Sequence, residues 1–132
     1  MVAADPTAVY RKNQVTTASP ERIVLLLYDG ALRSLRRGGG AMRRGDIQET
    51  GNNLCHAQEI IAALLGALDR EAGGSLAENM AALYNYILRL VARANVEKDP
   101  SPLEEAIVLL GEIREGWQGA LLPGHATPST AG

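Results

Sequence analysis

Cys55 and His56 are the residues whose types come closest to placing a nucleophile beside a base. Neighbouring positions on a helix point about 100° apart, so these two side chains cannot form the contact that covalent catalysis needs. Cys55 is therefore predicted to be a buried small hydrophobic residue, and His56 a solvated one. Tyr84 and Tyr86, two positions apart, cannot share a helix face, so one is expected at the core edge and the other exposed.

Carboxylates are frequent towards the C-terminal end, but they lack the partners that chemistry would require. Glu104, Glu105, Glu112 and Glu115 follow one another with no histidine or cysteine nearby. Metal and acid–base sites usually combine carboxylates with such groups. A solvated helix face is the preferred interpretation, and the sequence predicts no catalytic residue, no metal site and no cofactor.

Arginines are concentrated in "RSLRRGGGAMRR", residues 33–44, which holds Arg33, Arg36, Arg37, Arg43 and Arg44. Such a cluster could hold phosphates, so a weak anion or nucleic-acid binder is one alternative function. No aromatic residue is interleaved for base stacking, however, and the formal net charge of the chain is -2. We therefore expect no nucleic-acid partner and interpret the cluster as a solvent-facing arginine face, opposite the acids near the C-terminal end.

The composition indicates the kind of scaffold that carries these residues. A length of 132 residues suits one domain, and a chain with no Phe must build its core from smaller aliphatic side chains, which favours packed helices. The apolar stretch 60–68 is too short to span a bilayer, and the N-terminus lacks the apolar region of a secretory signal. With a single cysteine as well, the sequence predicts a cytosolic protein without membrane insertion.

Four helix starts are marked by capping residues. Ser, Thr, Asp or Asn at a cap accepts a backbone N–H that would otherwise lack a partner, and Glu three positions later completes a capping box. The starts are Ser19-Pro20-Glu21, Asp46 with Glu49, Ser75 with Glu78, and Ser101-Pro102 with Glu104. Gly73-Gly74 is predicted to adopt a left-handed conformation after the second helix.

Apolar residues recur at three- and four-residue spacing after each start, as on one face of a helix. Short connections force consecutive helices to be antiparallel, so we predict an all-α fold, an antiparallel up-down-up-down four-helix bundle. The expected organisation is an N-terminal arm over residues 1–18, the bundle over 19–122, and a disordered tail over 123–132.

The first helix carries more apolar residues than a single face requires. One stripe would suffice for the core: Val24, Tyr28, Ala31, Leu35 and Met42. Leu25 and Leu32 then fall on the face that carries Arg22, Asp29 and Arg36. Either the core-facing arc is simply wide, or these leucines form a second apolar groove bordered by charge, where a partner segment docks.

The segment "QVTTASPERIVLLLYDGALRSL", residues 14–35, resembles the opening of the flagellar secretion chaperone FliS family. Further similarity follows in the right order, in "AQEIIAALLGALD" at 57–69, "GGSLAENMAALYNYI" at 73–87 and "LLGEIREGW" at 109–117. The resemblance covers about residues 10–121. It departs at Gly38-Gly39-Gly40, where the family usually has ordinary helix formers, and a labile point or a close helix–helix approach is expected there.

The resemblance implies a non-enzymatic helical bundle that binds the disordered C-terminal region of flagellin, prevents premature polymerisation, and serves the flagellar export gate. The expected flagellin contacts are Tyr10, Val15, Leu25, Tyr28, Asp29 and Leu32. Tyr10 is further expected to cover the apolar groove of the free bundle until flagellin arrives. The remaining alternative is a helical homo-oligomeric interaction module, in which the surplus leucines form a weak homodimer face.

Overall fold

The computed structural model describes residues 19–121, and these residues form four helices and no strand. The predicted arm at 1–18 and the predicted tail at 123–132 lie outside the described residues. The helices are α1 (Pro20–Arg43), α2 (Ile47–Gly66), α3 (Arg70–Glu97) and α4 (Ser101–Leu121).

The first two helices begin where their caps predict. The Ser19 hydroxyl accepts the Arg22 N–H at 3.1 Å, and Pro20 occupies the first helical position. The Asp46 carboxylate accepts the Glu49 N–H at the same distance, 3.1 Å. Gly45, with a φ of 77°, makes the turn between the two helices in a conformation that other residues rarely adopt.

The predicted start of the third helix, at Ser75, lies six residues after the observed cap and marks only the long part of α3, which follows Gly74. The cap of α3 is Asp69, whose carboxylate accepts the Ala72 N–H at 3.0 Å, rather than Ser75. The glycine conformation that was expected after the second helix instead interrupts α3, at Gly74 with φ 57° and ψ −134°. Because that region of φ/ψ space is open almost only to glycine, α3 has a short first turn, a kink, and a long second part.

The helices pack as a ring in which α1 contacts α2 and α4, and α3 contacts the same two neighbours. Consecutive helices are joined by three residues each and pack on each other, as in an antiparallel up-down-up-down bundle. The predicted all-α bundle is confirmed. Helices α1 and α3 lie across the bundle from each other, and side chains from both fill its centre.

The closest helix pair is α1 and α2, and glycine makes their approach possible. Helix α1 runs without interruption through Gly38-Gly39-Gly40. A Cβ atom on Gly38 would lie 2.5 Å from Leu54 Cδ2, and Leu54 is fully buried. The expected close helix–helix approach is therefore present at Gly38, while the expected lability of this turn stays a prediction.

Candidate functional site

The groove predicted on α1 is absent, because its leucines are part of the core. Leu25 and Leu32 are each 5% exposed, and Tyr28 is completely buried. All three belong to the main apolar cluster of the bundle. The alternative that the core-facing arc of α1 is simply wide is therefore correct. Helix α1 packs against helices on two sides and must bury a broad stripe. These three residues form no accessible groove.

Asp29 has a structural partner in α4. Its carboxylate accepts the Nε–H of Arg114 and, at 3.3 Å, an Nη–H of the same guanidinium. The side chain of Arg114 is 24% exposed and that of Asp29 38% exposed, so this bidentate pair joins α1 to α4 at the edge of the core. Tyr10 and Val15, the other two predicted contacts, lie outside the described residues.

An apolar cleft lies elsewhere, between the N-terminal part of α3 and the C-terminal part of α4, with a volume of about 740 Å³. Met80, Ile113 and Trp117 are among its large apolar lining residues. Small residues leave the space between them open. The lining consists of Leu68, Asp69, Ala72, Gly73, Leu76, Ala77, Met80, Tyr84, Glu112, Ile113, Gly116 and Trp117.

The cleft has a rim that faces solvent and a buried base. Leu76 is 68% exposed, whereas Tyr84 is only 2% exposed. An exposed leucine beside half-buried Met80, Ile113 and Trp117 makes a continuous apolar surface that water can reach. Such a surface favours an apolar side chain or a short amphipathic segment as its ligand.

A hydrogen-bonded tyrosine pair lies under the cleft and crosses the centre of the bundle. The hydroxyls of Tyr28 in α1 and Tyr84 in α3 are 2.5 Å apart. Burial raises the pKa of Tyr28 well above its ordinary value, and the bond to Tyr84 raises it further. Burial also raises the pKa of Tyr84. Both hydroxyls therefore stay protonated at neutral pH, and the base of the cleft carries no charge.

The charged groups of the cleft are acidic and lie on its lining. Asp69 is the cap of α3, and Glu112 is exposed on α4. A short distance along α3, Arg70 pairs with Glu78 at 3.8 Å and thereby spans the kink at Gly74. A ligand with apolar residues at its centre and basic residues at its edges would suit this arrangement.

The residues that the sequence suggested for chemistry are scattered over the bundle and form no common site. Cys55 is exposed, contrary to its predicted burial, because Leu54 and Ala57 take the inward positions on this part of α2. The two tyrosines do lie on different faces: Tyr84 is inside the core and not at its edge, whereas Tyr86 is exposed and its hydroxyl donates to Glu105 at 2.5 Å. Within residues 19–121 no group of three or more His, Cys, Asp or Glu side chains could hold a metal ion.

Helical periodicity assigns the large apolar residues of the cleft to the core. Leu76, Met80, Ile113 and Trp117 have core spacing, so periodicity alone places them inside. The feature of the sequence that could have indicated a cleft is the high share of small residues on the same helix faces. Ala72, Gly73, Ala77 and Gly116 all line the cleft, and they provide too little volume to close it.

Comparison with known proteins identifies the family to which the chain belongs. A family model described as "Flagellar protein FliS" matches residues 3–123. The chain belongs to the FliS family. The flagellar secretion chaperone FliSB of Pseudomonas aeruginosa is 42% identical over 106 residues, which are 80% of this chain and 84% of that relative.

Other FliS relatives match over a similar extent. The flagellar secretion chaperone FliS of Bacillus subtilis is 32% identical over 121 residues, which are 92% of this chain and 90% of the relative. That of Escherichia coli is 35% identical over 127 residues, which are 92% of this chain and 93% of the relative. These FliS proteins are named as chaperones, a class without enzymatic activity. No helix in the described part of this FliS-family chain is long and apolar enough to cross a membrane.

Proposed function

We propose that the cleft between α3 and α4 binds the disordered C-terminal segment of flagellin in the cytosol. By holding this segment, the chain prevents premature polymerisation and delivers flagellin to the flagellar type III export apparatus. The observation that carries the proposal is an accessible apolar cleft of about 740 Å³ in a chain that belongs to a family of flagellar secretion chaperones.

The physical properties of the cleft support a flexible client. A disordered segment pays an ordering cost when it binds, so each contact contributes little affinity, but the segment can extend over several surfaces. A cleft with an exposed rim at Leu76 and a buried base at Tyr84 would take one or two apolar side chains of such a segment. A further exposed apolar residue, Val108 on α4, offers a contact beyond the cleft.

The expected client contacts change accordingly. Leu76, Met80, Ile113 and Trp117 take the place of Leu25, Tyr28 and Leu32, which are buried. Asp29 contributes indirectly, because its pair with Arg114 fixes α4 one turn from Trp117. Tyr10 and Val15 remain proposed contacts that reach the cleft from the arm.

A matched pair of variants tests the cleft. Leu76→Glu places a charge on the apolar rim, while Val96→Glu makes the same chemical change at an 82% exposed site near the other end of α3. We expect Leu76→Glu to weaken binding of a flagellin C-terminal peptide at least about tenfold, because a charge on an apolar contact must be desolvated. Val96→Glu should change the affinity less than about twofold. Isothermal calorimetry measures both.

Trp117 provides a second measurement, since it is the only tryptophan of the chain and lines the cleft. A peptide without tryptophan should shift Trp117 emission when it binds. Equal affinity of wild type and Leu76→Glu, with unchanged Trp117 emission, would contradict the proposal. Peptide-independent self-association that Leu76→Glu abolishes would instead support the homo-oligomeric module. Sedimentation of flagellin filaments with and without the chain tests the effect on polymerisation.

A further inference from the structure

A row of arginines occupies the outward face of α1. Its members fall within an arc of about 100° on the helix, and all are exposed. Within this row an arginine recurs every eleven residues, at Arg22, Arg33 and Arg44. Eleven residues of a helix make about three turns and span about 16 Å. We call this row the arginine stripe, and it consists of Arg22, Arg33, Arg36, Arg37 and Arg44.

No ion pair joins the arginine stripe to an acidic residue within residues 19–121. Asp29 lies on the same arc of α1, but its carboxylate pairs with Arg114 of α4, and Arg43 pairs with Glu104 at 2.9 Å. Like charges three and four positions apart, as at Arg33, Arg36 and Arg37, destabilise a helix. The stripe therefore does not stabilise α1, although the chain has 15 acidic residues that could have been placed beside it.

The arginine stripe is also separate from the cleft. None of its residues lines the cleft, and α1 packs against α2 and α4 while the cleft lies between α3 and α4. A ligand on the outward face of α1 would leave Trp117 untouched. The two surfaces can therefore be occupied at the same time, and an inference about the stripe does not depend on what fills the cleft.

The chemistry of the arginine stripe selects among anionic ligands. A guanidinium binds carboxylates and phosphates through two parallel hydrogen bonds. An apolar residue on the same arc of α1, Leu26, is 62% exposed, and Ile23 beside it is 41% exposed. No aromatic side chain is exposed on α1, because Tyr28 is buried, so bases of a nucleic acid would find no stacking surface.

We propose that the arginine stripe binds an acidic amphipathic helix of a partner protein, whose carboxylates meet the arginines and whose apolar residues meet Leu26 and Ile23. Two helices in contact along α1 from Arg22 to Arg44 would share about 33 Å of length. Carboxylates at three- and four-residue spacing on the partner would match the spacing of Arg33, Arg36 and Arg37. A second protein thus docks on the chaperone without displacing its client.

A charge-reversal experiment with a matched control tests this site. The probe is a synthetic helical peptide with glutamates on one face and leucines at its edge, titrated into the full chain. Arg33→Glu with Arg37→Glu removes the centre of the stripe. Arg89→Glu with Arg93→Glu makes the same change at the same spacing on the exposed side of α3. We expect at least about a tenfold loss of affinity for the first pair and less than about twofold for the second.

Further measurements separate the alternatives. Binding should weaken as salt rises, leave Trp117 emission unchanged, and survive Leu76→Glu. The neutral variant Arg33→Gln with Arg37→Gln should show an intermediate loss of peptide affinity. It serves as a control for misfolding of the charge-reversed variant, whose helicity is checked by circular dichroism.

Three results would overturn the proposal. The first is an equal loss in both charge-reversal pairs, which would mean non-specific attraction. The second is binding that Leu76→Glu abolishes, which would place the peptide in the cleft. The third is tighter binding of polyuridylic acid than of the peptide, with the same dependence on Arg33 and Arg37, which would make the stripe a nucleic-acid site.

Discussion

Single residues at the centre of the bundle connect its stability with its cleft. The hydroxyls of Tyr28 and Tyr84 satisfy each other across the core, and Tyr84 at the same time forms the base of the cleft. A buried hydroxyl without a hydrogen-bond partner is costly. Each tyrosine therefore constrains the position of the other more strongly than the neighbouring residues do. The pair holds α1 and α3 in register although these helices are not adjacent in the ring.

Removing both hydroxyls should therefore cost less than the sum of the two single removals. We expect Tyr28→Phe and Tyr84→Phe each to lower the free energy of unfolding by about 1–3 kcal/mol, because each leaves one buried hydroxyl unpaired. The double variant should lose less than the sum of the two. Urea unfolding followed by circular dichroism measures the coupling. The exposed Tyr86→Phe serves as a control and should leave the midpoint nearly unchanged, whereas additive losses would contradict the interpretation.

The same pair makes stability depend on pH in the alkaline range. Burial raises the folded-state pKa of Tyr28 and Tyr84 above the value of about 10 that tyrosine has in an unfolded chain. As pH rises past that value, the unfolded chain releases protons first, so this contribution is complete below about pH 9 and declines above about pH 10. The double phenylalanine variant should lose less stability between pH 8 and pH 11 than wild type. An identical decline would show that other groups cause it.

At the scale of elements, glycine decides how closely helices approach and where they bend. Gly38 lets α1 approach Leu54 of α2, and Gly74 gives α3 its kink beside the cleft. The two other glycines of the triplet have looser surroundings, since the nearest atom to a Cβ on Gly40 would be Arg44 Nη1 at 3.5 Å. The triplet is therefore not uniform, and its positions should respond differently to substitution.

Alanine substitutions in α1 test this difference. Alanine favours a helix over glycine by about 1 kcal/mol, so Gly40→Ala should stabilise the protein by about 0.5–1 kcal/mol. Gly38→Ala should instead destabilise it by about 1–2 kcal/mol, because its Cβ would overlap Leu54 in a filled core. Thermal unfolding measures both. Stabilisation by both variants would mean that α1 and α2 separate easily, and rapid hydrogen exchange at 38–40 would support the predicted lability.

The whole molecule presents two unlike surfaces on different helices. One is the apolar cleft of α3 and α4, and the other is the cationic outward face of α1. An exposed apolar cleft invites self-association unless something covers it. The N-terminal arm is one candidate, since Tyr10 and Val15 are apolar residues among polar ones.

Tyr10→Ala tests the proposed cover. A tethered tyrosine has an effective concentration in the millimolar range but gains only a few kcal/mol on burial, so a client can displace it. We expect the variant to bind more of a dye that reports exposed apolar surface, and to bind the flagellin peptide with altered affinity. Thr16→Ala is a control in the same arm. If neither the dye signal nor the affinity changes, Tyr10 does not cover the cleft.

The sequence by itself determined the class of fold, the starts of α1 and α2, and the family. These features depend on local chemistry, since a Ser or Asp cap satisfies a backbone N–H within its own turn, and on motifs that stand in the right order. The start of α3 was placed too late because Asp69 and Ser75 are both acceptable caps. Asp69 caps the short turn before the bend at Gly74, and Ser75 directly follows that bend.

Only the tertiary structure decided which apolar stripe is buried and which is accessible to solvent. Leu25 and Leu32 have the spacing of a surplus stripe and are buried, while Leu76 and Trp117 have the spacing of a core and line a cleft. Periodicity reports which side chains share a face of one helix. Whether that face is covered depends on the volume supplied by other helices, and beside Trp117 the residues Gly73, Ala77 and Gly116 supply too little to fill it.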